Sequence, residues 1–277
     1  MAFSSPPNSE SVASPTKVKG RSPKWLRPTW SHNHGVYVVL LVACLTGAAA
    51  ARQWTLTTTL AMVCAFMGFQ AEYPLSLQLM RRRWKIRFLV WGGIYGAIAA
   101  GLALYLYLKT PLLLWVYGGA IATVIIDSLA VRQKQQKSHA NELISFAAVC
   151  LATPLVYIAT TGTFTPTILG LWLLNTLFFG STIFTVKIRK PKTTSLTPLV
   201  LYHLVAIALI IALYGFGLLT LVTALSYSIA LCKFVLVVTK TDWFRMAPIQ
   251  TVAMIETMSG FVFLAIVSLT LLPTHLV

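Results

Sequence analysis

The sequence predicts an all-α membrane protein, a polytopic transmembrane helical bundle of about nine spans, with the N-terminus inside the cell and the C-terminus outside. Three observations predict this class. Of the 277 residues, 57% are hydrophobic and only 10% are charged, and the mean hydropathy is +0.77, which is too apolar for a soluble domain. The apolar residues are gathered into runs of about 20, the length that crosses a bilayer as a helix. The basic residues are concentrated in alternate connections between these runs.

The chain is predicted to have two parts, a disordered basic cytoplasmic tail over residues 1–30 and a transmembrane helical domain over residues 31–277. Residues 1–24 are rich in Ser and Pro, lack the apolar segment of a signal peptide and end in basic residues. This composition is typical of a disordered segment. Trp25 and Trp30 then mark the approach to the membrane interface, where indole rings preferentially lie.

The apolar runs are predicted to be helices, because lipid offers no partner for an unpaired backbone N–H or C=O group. Charged residues, Pro or Gly separate the runs, and Tyr214–Gly217 is interpreted as a tight turn between two of them. The predicted spans are 34–51, 55–79, 88–108, 112–130, 143–160, 167–186, 197–215, 217–238 and 249–272. The third span contains GGIYGAIAAG, whose small residues at every fourth position allow close helix contact. We therefore expect this span to lie centrally in the bundle.

The basic residues predict the orientation. If the tail is inside, all but Arg52 and Lys109 of the 22 lysines and arginines fall in cytoplasmic segments, as the positive-inside rule requires. The net charge of +16 is therefore assigned to membrane topology. It does not indicate a nucleic-acid-binding protein, because no basic and aromatic recognition motif is present.

Polar side chains within or at the edges of the spans form a candidate site. An ionisable group at this depth is costly unless it is paired or lines a wet cavity, so it marks a functional site by default. Under the predicted topology these groups lie towards the cytoplasmic side, apart from the mid-span Asn175. The candidate polar site comprises His34, Glu72, Asp127, Asn141, Glu142, Asn175, His203 and Glu256.

Glu72 and Glu256 are the strongest members, because neither lies at a helix end. We expect the two to share one water-accessible cavity with His203, and His34 and Lys233 are further candidate partners. Simpler interpretations stay open for other groups. Lys187 and Lys233 can extend to lipid headgroups, and Glu142 can favour a helix N-terminus.

Short segments around these polar residues carry a family resemblance. They are His34-Gly35, Glu72-Tyr73-Pro74-Leu75, Glu142-Leu143 leading to Ala152-Thr153-Pro154 and Tyr157, Thr185-Val186-Lys187, Tyr202-His203, and Pro248 followed by Glu256. Over about residues 25–277 the chain resembles the YwiC-like family of bacterial integral membrane proteins. The resemblance implies a shared helical architecture, shared polar positions and a multi-pass location in the bacterial inner (plasma) membrane.

The architecture is also similar to that of UbiA-type prenyltransferases. The chain lacks the paired Asp-rich motifs of those enzymes, since Asp127 stands alone, and likeness of architecture is weak support for a shared activity. No phosphate-binding loop, HExxH or GxSxG motif is present, so no cofactor is identified and no metal site is assigned.

Three functions stay open. The first hypothesis is a membrane-embedded binder or enzyme acting on a lipophilic small molecule with a polar head. The second is a proton- or cation-coupled transporter, although no internal repeat is evident. The third is an assembly or structural protein without small-molecule chemistry. The lipid bilayer is the expected partner under all three hypotheses.

Overall fold

The structure is a computed structural model that describes residues 28–31, 34–81, 85–133, 135, 137–189 and 195–272. The side chains of residues 34 and 79–81 lie outside this description. So do most of the predicted tail and several basic residues of the predicted cytoplasmic connections.

The described residues form helices joined by short connections and contain no strand. The helices are α1 His34–Ala51, α2 Leu56–Arg81, α3 Ile86–Lys109, α4 Leu113–Arg132, α5 His139–Cys150, α6 Ala152–Thr161, α7 Pro166–Lys187, α8 Thr197–Gly215, α9 Leu221–Leu225, α10 Ser228–Thr239, α11 Thr241–Met246 and α12 Ile249–Leu271.

The protein is a polytopic helical membrane protein. Within the described residues, eight helical segments are long and apolar enough to cross a membrane, and α1 is a shorter apolar helix. Two of the eight are broken helices, α5 with α6 and α9 with α10. The nine apolar segments match the nine predicted spans, with boundaries that differ by four residues or fewer.

The centre of the bundle is α7, and not the third span as the small residues suggested. In the apolar window of α7, 67% of the residues are buried, against 17% in α3. The small residues of α3 do allow a close contact, because a Cβ added at Gly92 would lie 3.0 Å from Leu75 in α2, but Gly93 and Gly101 meet nothing within 4 Å. Small residues thus predicted a close neighbour for α3 correctly and a central position wrongly.

Hydrogen bonds at the helix ends show that successive spans alternate in direction. At one end they join Arg87 to Pro28, Lys187 to Lys137 and Arg189 to Ala247. At the other end they join Arg52 to Leu271, Gln53 to Thr160 and Thr223 to Thr270. The first group lies in segments predicted to be cytoplasmic and the second in segments predicted to be outside. The end of the bundle that contains the first group is called the basic end, and the end that contains the second group is called the opposite end.

Two spans are interrupted. Pro154 has no N–H group to donate to the carbonyl of Cys150, four residues earlier, so the helix breaks between α5 and α6. A second break, at Ser226 and Tyr227, separates the short α9 from α10. The predicted tight turn is confirmed, since α8 ends at Gly215 and Gly217 has a φ of 72°, which favours glycine.

Candidate functional site

The first polar group joins the end of α4 to the start of α5. The amide Nδ2 of Asn141 donates to Oδ1 of Asp127 over 2.7 Å. The hydroxyl of Ser138 caps α5 by accepting the backbone N–H of Asn141, which fixes the start of this helix and the position of the Asn141 side chain. The structure therefore brings Asp127 and Asn141 together, as one hydrogen-bonded pair at the basic end.

The second group is an ion pair between α5 and α7. Nζ of Lys187 lies 2.7 Å from Oε2 of Glu142, in the first turn of α5, and also donates to the carbonyl of Lys137 over 3.0 Å. Lys187 is buried, with a residue exposure of 8%. Its ammonium is therefore held inside the bundle and does not extend to headgroups.

The third group is a more deeply buried ion pair between α10 and α12. Nζ of Lys233 lies 2.6 Å from Oε2 of Glu256, and the two side chains are only 6% and 14% exposed. From α7, the hydroxyls of Thr182 and Thr185 donate to the same carboxylate over 2.8 and 3.1 Å. The ammonium also lies 4.9 Å from the centre of the Phe178 ring. The Glu256 carboxylate is thus stabilised by Lys233 and by two hydroxyls of α7, and the Lys233 ammonium is stabilised by Glu256 and by the Phe178 ring.

His203, in α8, lies in an aromatic surrounding close to this pair. Its ring stacks on Phe234, the residue after Lys233, at 4.5 Å between ring centroids, and meets the edge of Tyr202 at 5.6 Å. Nδ1 lies 2.9 Å from the carbonyl oxygen of Leu199. The residue is 1% exposed, yet its other nitrogen, Nε2, has no hydrogen-bond partner among the described residues.

Tyr227 adds a second open polar atom beside His203. It lies at the break between α9 and α10, its ring centroid is 6.5 Å from that of His203, and it is 2% exposed. Its hydroxyl also has no hydrogen-bond partner within the described part of the chain. Buried polar atoms are nearly always hydrogen-bonded in folded proteins, so these two atoms on neighbouring rings are candidates for binding a further polar group.

Glu72 and Glu256 are not joined by any contact that the structure describes. Glu72 is an exposed residue of α2, and its carboxylate accepts a hydrogen bond from Ser76 in the same helix over 3.1 Å. Glu256 instead bonds to α7 and α10. The expected pairing of Glu256 with Lys233 is therefore present, whereas the cavity shared by the two glutamates stays a prediction.

The two remaining candidates lie apart from these groups. Asn175 is fully buried at the centre of the bundle, where Nδ2 donates to the carbonyl of Leu171 over 3.0 Å and, more weakly, to the hydroxyl of Thr153 over 3.4 Å. Asn175 therefore links α7 to the start of α6, next to Pro154. His34 opens α1, but its side chain lies outside the described residues.

Sequence reasoning missed Thr182, Thr185 and Tyr227. The threonines are three residues apart, so they share one face of α7, and that spacing was a usable signal. Tyr227 gave no such signal, because one tyrosine in an apolar span is common and only the packing shows that its hydroxyl is buried.

A cleft of about 400 Å³ lies elsewhere, at the opposite end of the bundle, and is lined by Lys109, Thr110, Pro111, Leu112, Leu114, Trp115 and Gly162. Its lining contains neither an acid nor a histidine. Among the described residues, no group of three His, Cys, Asp or Glu side chains is placed to hold a metal ion.

Comparison with protein families gave one match to this chain. The family model described as YwiC-like protein matches residues 30–157, a little under half of the chain. Over this range the chain is similar to the YwiC-like family. The YwiC-like range runs from the approach to α1 to the middle of α6, so it contains Glu72, Asp127, Asn141 and Glu142. The Lys233–Glu256 pair and His203 lie beyond it. Comparison with curated proteins and with solved structures gave no match.

Proposed function

We propose that this multi-pass membrane protein binds a lipophilic small molecule, with the polar head of the ligand held beside His203 and the Lys233–Glu256 pair. The proposal includes a location in the bacterial inner membrane, with this site in the cytoplasmic half of the bilayer. One observation carries it. Nε2 of His203 and the hydroxyl of Tyr227 are both buried, lie on neighbouring rings, and make no hydrogen bond among the described residues.

Burial cost supports this interpretation. A polar group without a hydrogen bond costs about 1–3 kcal/mol in a protein interior, and an ionisable side chain within a span is a functional candidate by default. Hydroxyls from α7 and the ammonium of Lys233 already provide hydrogen bonds to the Glu256 carboxylate. The ion pair is therefore a polar part of the site that needs no further partner. The open atoms beside it are the groups that remain to bind a ligand.

The surroundings suit a ligand that is mostly apolar. Phe234 and Tyr202 pack against the His203 ring, and Leu204, the next residue in α8, is 60% exposed. The helix that carries His203 therefore also has an exposed apolar surface. A molecule with a small polar head and an apolar chain can place its head inside and its chain outside.

The test is the lipophile that copurifies with the protein. Wild-type protein and the His203→Phe variant are purified in nanodiscs formed directly from the membrane, extracted with organic solvent and compared by mass spectrometry. His139→Phe is the matched control, because His139 also stacks on an aromatic ring, that of Phe184 at 5.1 Å, but lies at the start of α5.

We expect one lipophile to be enriched over bulk lipid, in amounts comparable to the protein, in wild type and in His139→Phe. It should be lost from His203→Phe, because phenylalanine keeps the stacking and removes both ring nitrogens. Identical extracts from the wild type and His203→Phe, with both proteins folded, would contradict the proposal.

A transporter is the second candidate, and the two broken spans favour it. Helices interrupted within the membrane provide the ion and substrate sites of many transporters, and here Pro154 breaks one span while Tyr227 lies at the break of another. Purified protein in liposomes that contain a pH-sensitive dye tests this function. Proton movement that requires Glu256 would favour the transporter over a binder.

A further inference from the structure

We infer that the ligand head is a hydroxyl group, so the ligand is a lipophilic alcohol or phenol. This inference rests on the proposed function and identifies the chemical class of its ligand. It follows from which atoms of His203 and Tyr227 can donate a hydrogen bond and which can accept one.

The hydrogen bond to Leu199 determines the tautomer of His203. A backbone carbonyl oxygen can only accept, so Nδ1, 2.9 Å away, must carry the hydrogen and donate it. In the singly protonated ring the second nitrogen, Nε2, then has a lone pair and no hydrogen. The open atom of His203 is therefore an acceptor, and it requires a group that donates.

Tyr227 supplies the complementary atom. Its phenolic hydroxyl can donate or accept, and its ring lies 6.5 Å from that of His203, centroid to centroid. A ligand hydroxyl has the chemistry that both atoms require, since it can donate to an acceptor such as Nε2 of His203 and accept from a donor such as the Tyr227 hydroxyl. A carbonyl or an ether lacks the hydrogen that Nε2 needs, and an ammonium lacks the lone pair that receives the Tyr227 hydrogen.

The ion pair strengthens this choice, because it leaves no open charge for a charged head. The Lys233 ammonium is 2.6 Å from Glu256, and the same carboxylate accepts from Thr182 and Thr185. A carboxylate or phosphate head would have to displace Glu256 from Lys233. A neutral hydroxyl beside the Lys233–Glu256 pair can bind without displacing Glu256.

The experiment compares each hydroxyl with its own methyl ether. The probes are para-decylphenol and n-decanol, each paired with the corresponding methyl ether, and binding is measured on purified protein in nanodiscs with empty nanodiscs as background. Methylation removes the donor and keeps the oxygen and the apolar chain. The phenol and alkanol arms distinguish the two sources of a lipophilic hydroxyl.

In wild-type protein we expect at least one hydroxyl probe to bind about tenfold or more tightly than its methyl ether, since an unmet buried acceptor is worth about that factor. His203→Phe should remove the preference, and His139→Phe should retain it. Tyr227→Phe should weaken the binding of both members of a probe pair and leave the preference for the hydroxyl, because the ether oxygen can also accept from Tyr227 whereas only the hydroxyl can donate to Nε2.

Two results would overturn the inference. The first is equal binding of a hydroxyl probe and its ether to wild-type protein, which would mean that Nε2 does not accept a hydrogen bond from the ligand. The second is failure of both hydroxyl probes to bind. The copurified lipophile tests the proposed function separately. If it is present in the wild type and lost from His203→Phe, the binding function stands and only the hydroxyl assignment falls.

Discussion

Replacing Glu256 by Gln should destabilise the bundle strongly, because it leaves a buried ammonium without its counter-ion. Gln has nearly the same shape, but Thr182 and Thr185 donate to different oxygens of the Glu256 carboxylate, so the single amide oxygen of Gln can keep only one of these two hydrogen bonds. What it removes is the charge that lies 2.6 Å from Nζ of Lys233, in a pair whose side chains are 6% and 14% exposed.

The expected size follows from this burial. Removing one partner of a buried ion pair typically costs about 3–5 kcal/mol, whereas replacing both partners by uncharged residues is often close to neutral. One of the two threonine hydrogen bonds can be kept in Glu256→Gln, so we expect a loss of about 3 kcal/mol or more. Lys233→Met should cost a similar amount, and the double variant should lie within about 1 kcal/mol of the wild type.

The measurement is the free energy of unfolding in mild detergent, from titration with a denaturing detergent. Glu142→Gln is the comparison for a less buried carboxylate, since the Glu142 side chain is 29% exposed and Lys187 keeps its hydrogen bond to the carbonyl of Lys137, so it should cost less than Glu256→Gln. If Glu256→Gln were as stable as the wild type, or if the double variant lost the sum of both single losses, the interpretation of a buried pair would be refuted.

Three further predictions concern topology, packing and Glu72. Reporter fusions after residues 83, 137 and 190 should report the cytoplasm and fusions at 52, 109 and 163 the opposite side, and one reversed result would contradict the nine-span topology. Gly47→Ala should lower the free energy of unfolding by about 1–3 kcal/mol or more, because its Cβ would lie 2.4 Å from the backbone oxygen of Thr153, while Gly93→Ala, with nothing within 4 Å, should not; equal effects would refute the close contact. Glu72→Gln should not lower stability, since Glu72 is an exposed residue within a span and, among the described residues, bonds only to Ser76 of its own helix, where removing a carboxylate removes a cost; a fall in copurified ligand there would report function, and a large loss of stability would show a structural role.

The spans were predictable because the cost of unpaired backbone groups in lipid acts on every residue of a run. The pairing of charges was not. The positions of Glu72 and Glu256 along their predicted spans place them at a similar depth, but they do not specify which neighbouring helix each side chain contacts. Lys233 was one of three candidate partners, with His203 and His34, and the structure pairs it with Glu256.

The candidate site was harder to predict than the fold, because its key property is a missing contact. That His203 is polar and lies within a span can be read from the sequence. That one of its nitrogens is bonded to Leu199 and the other is open depends on the rotation of α8 and on the ring of Phe234. The same limit applies to α3, whose small residues permit close packing on α2 but do not determine how many other helices surround it.

The hydrogen bond from Nε of Arg52 to the carbonyl of Leu271, 2.7 Å long, has a consequence for the assembly of the protein during translation. It joins the end of the first helix to the end of the last, and α1 packs on both α6 and α12. Contacts so distant along the chain form slowly, and here they cannot form until the final span has left the ribosome. The helix α1 is thus synthesised well before α12, one of the helices on which it packs. Until then, lipid or an insertion factor must cover the face of α1 that α12 later occupies.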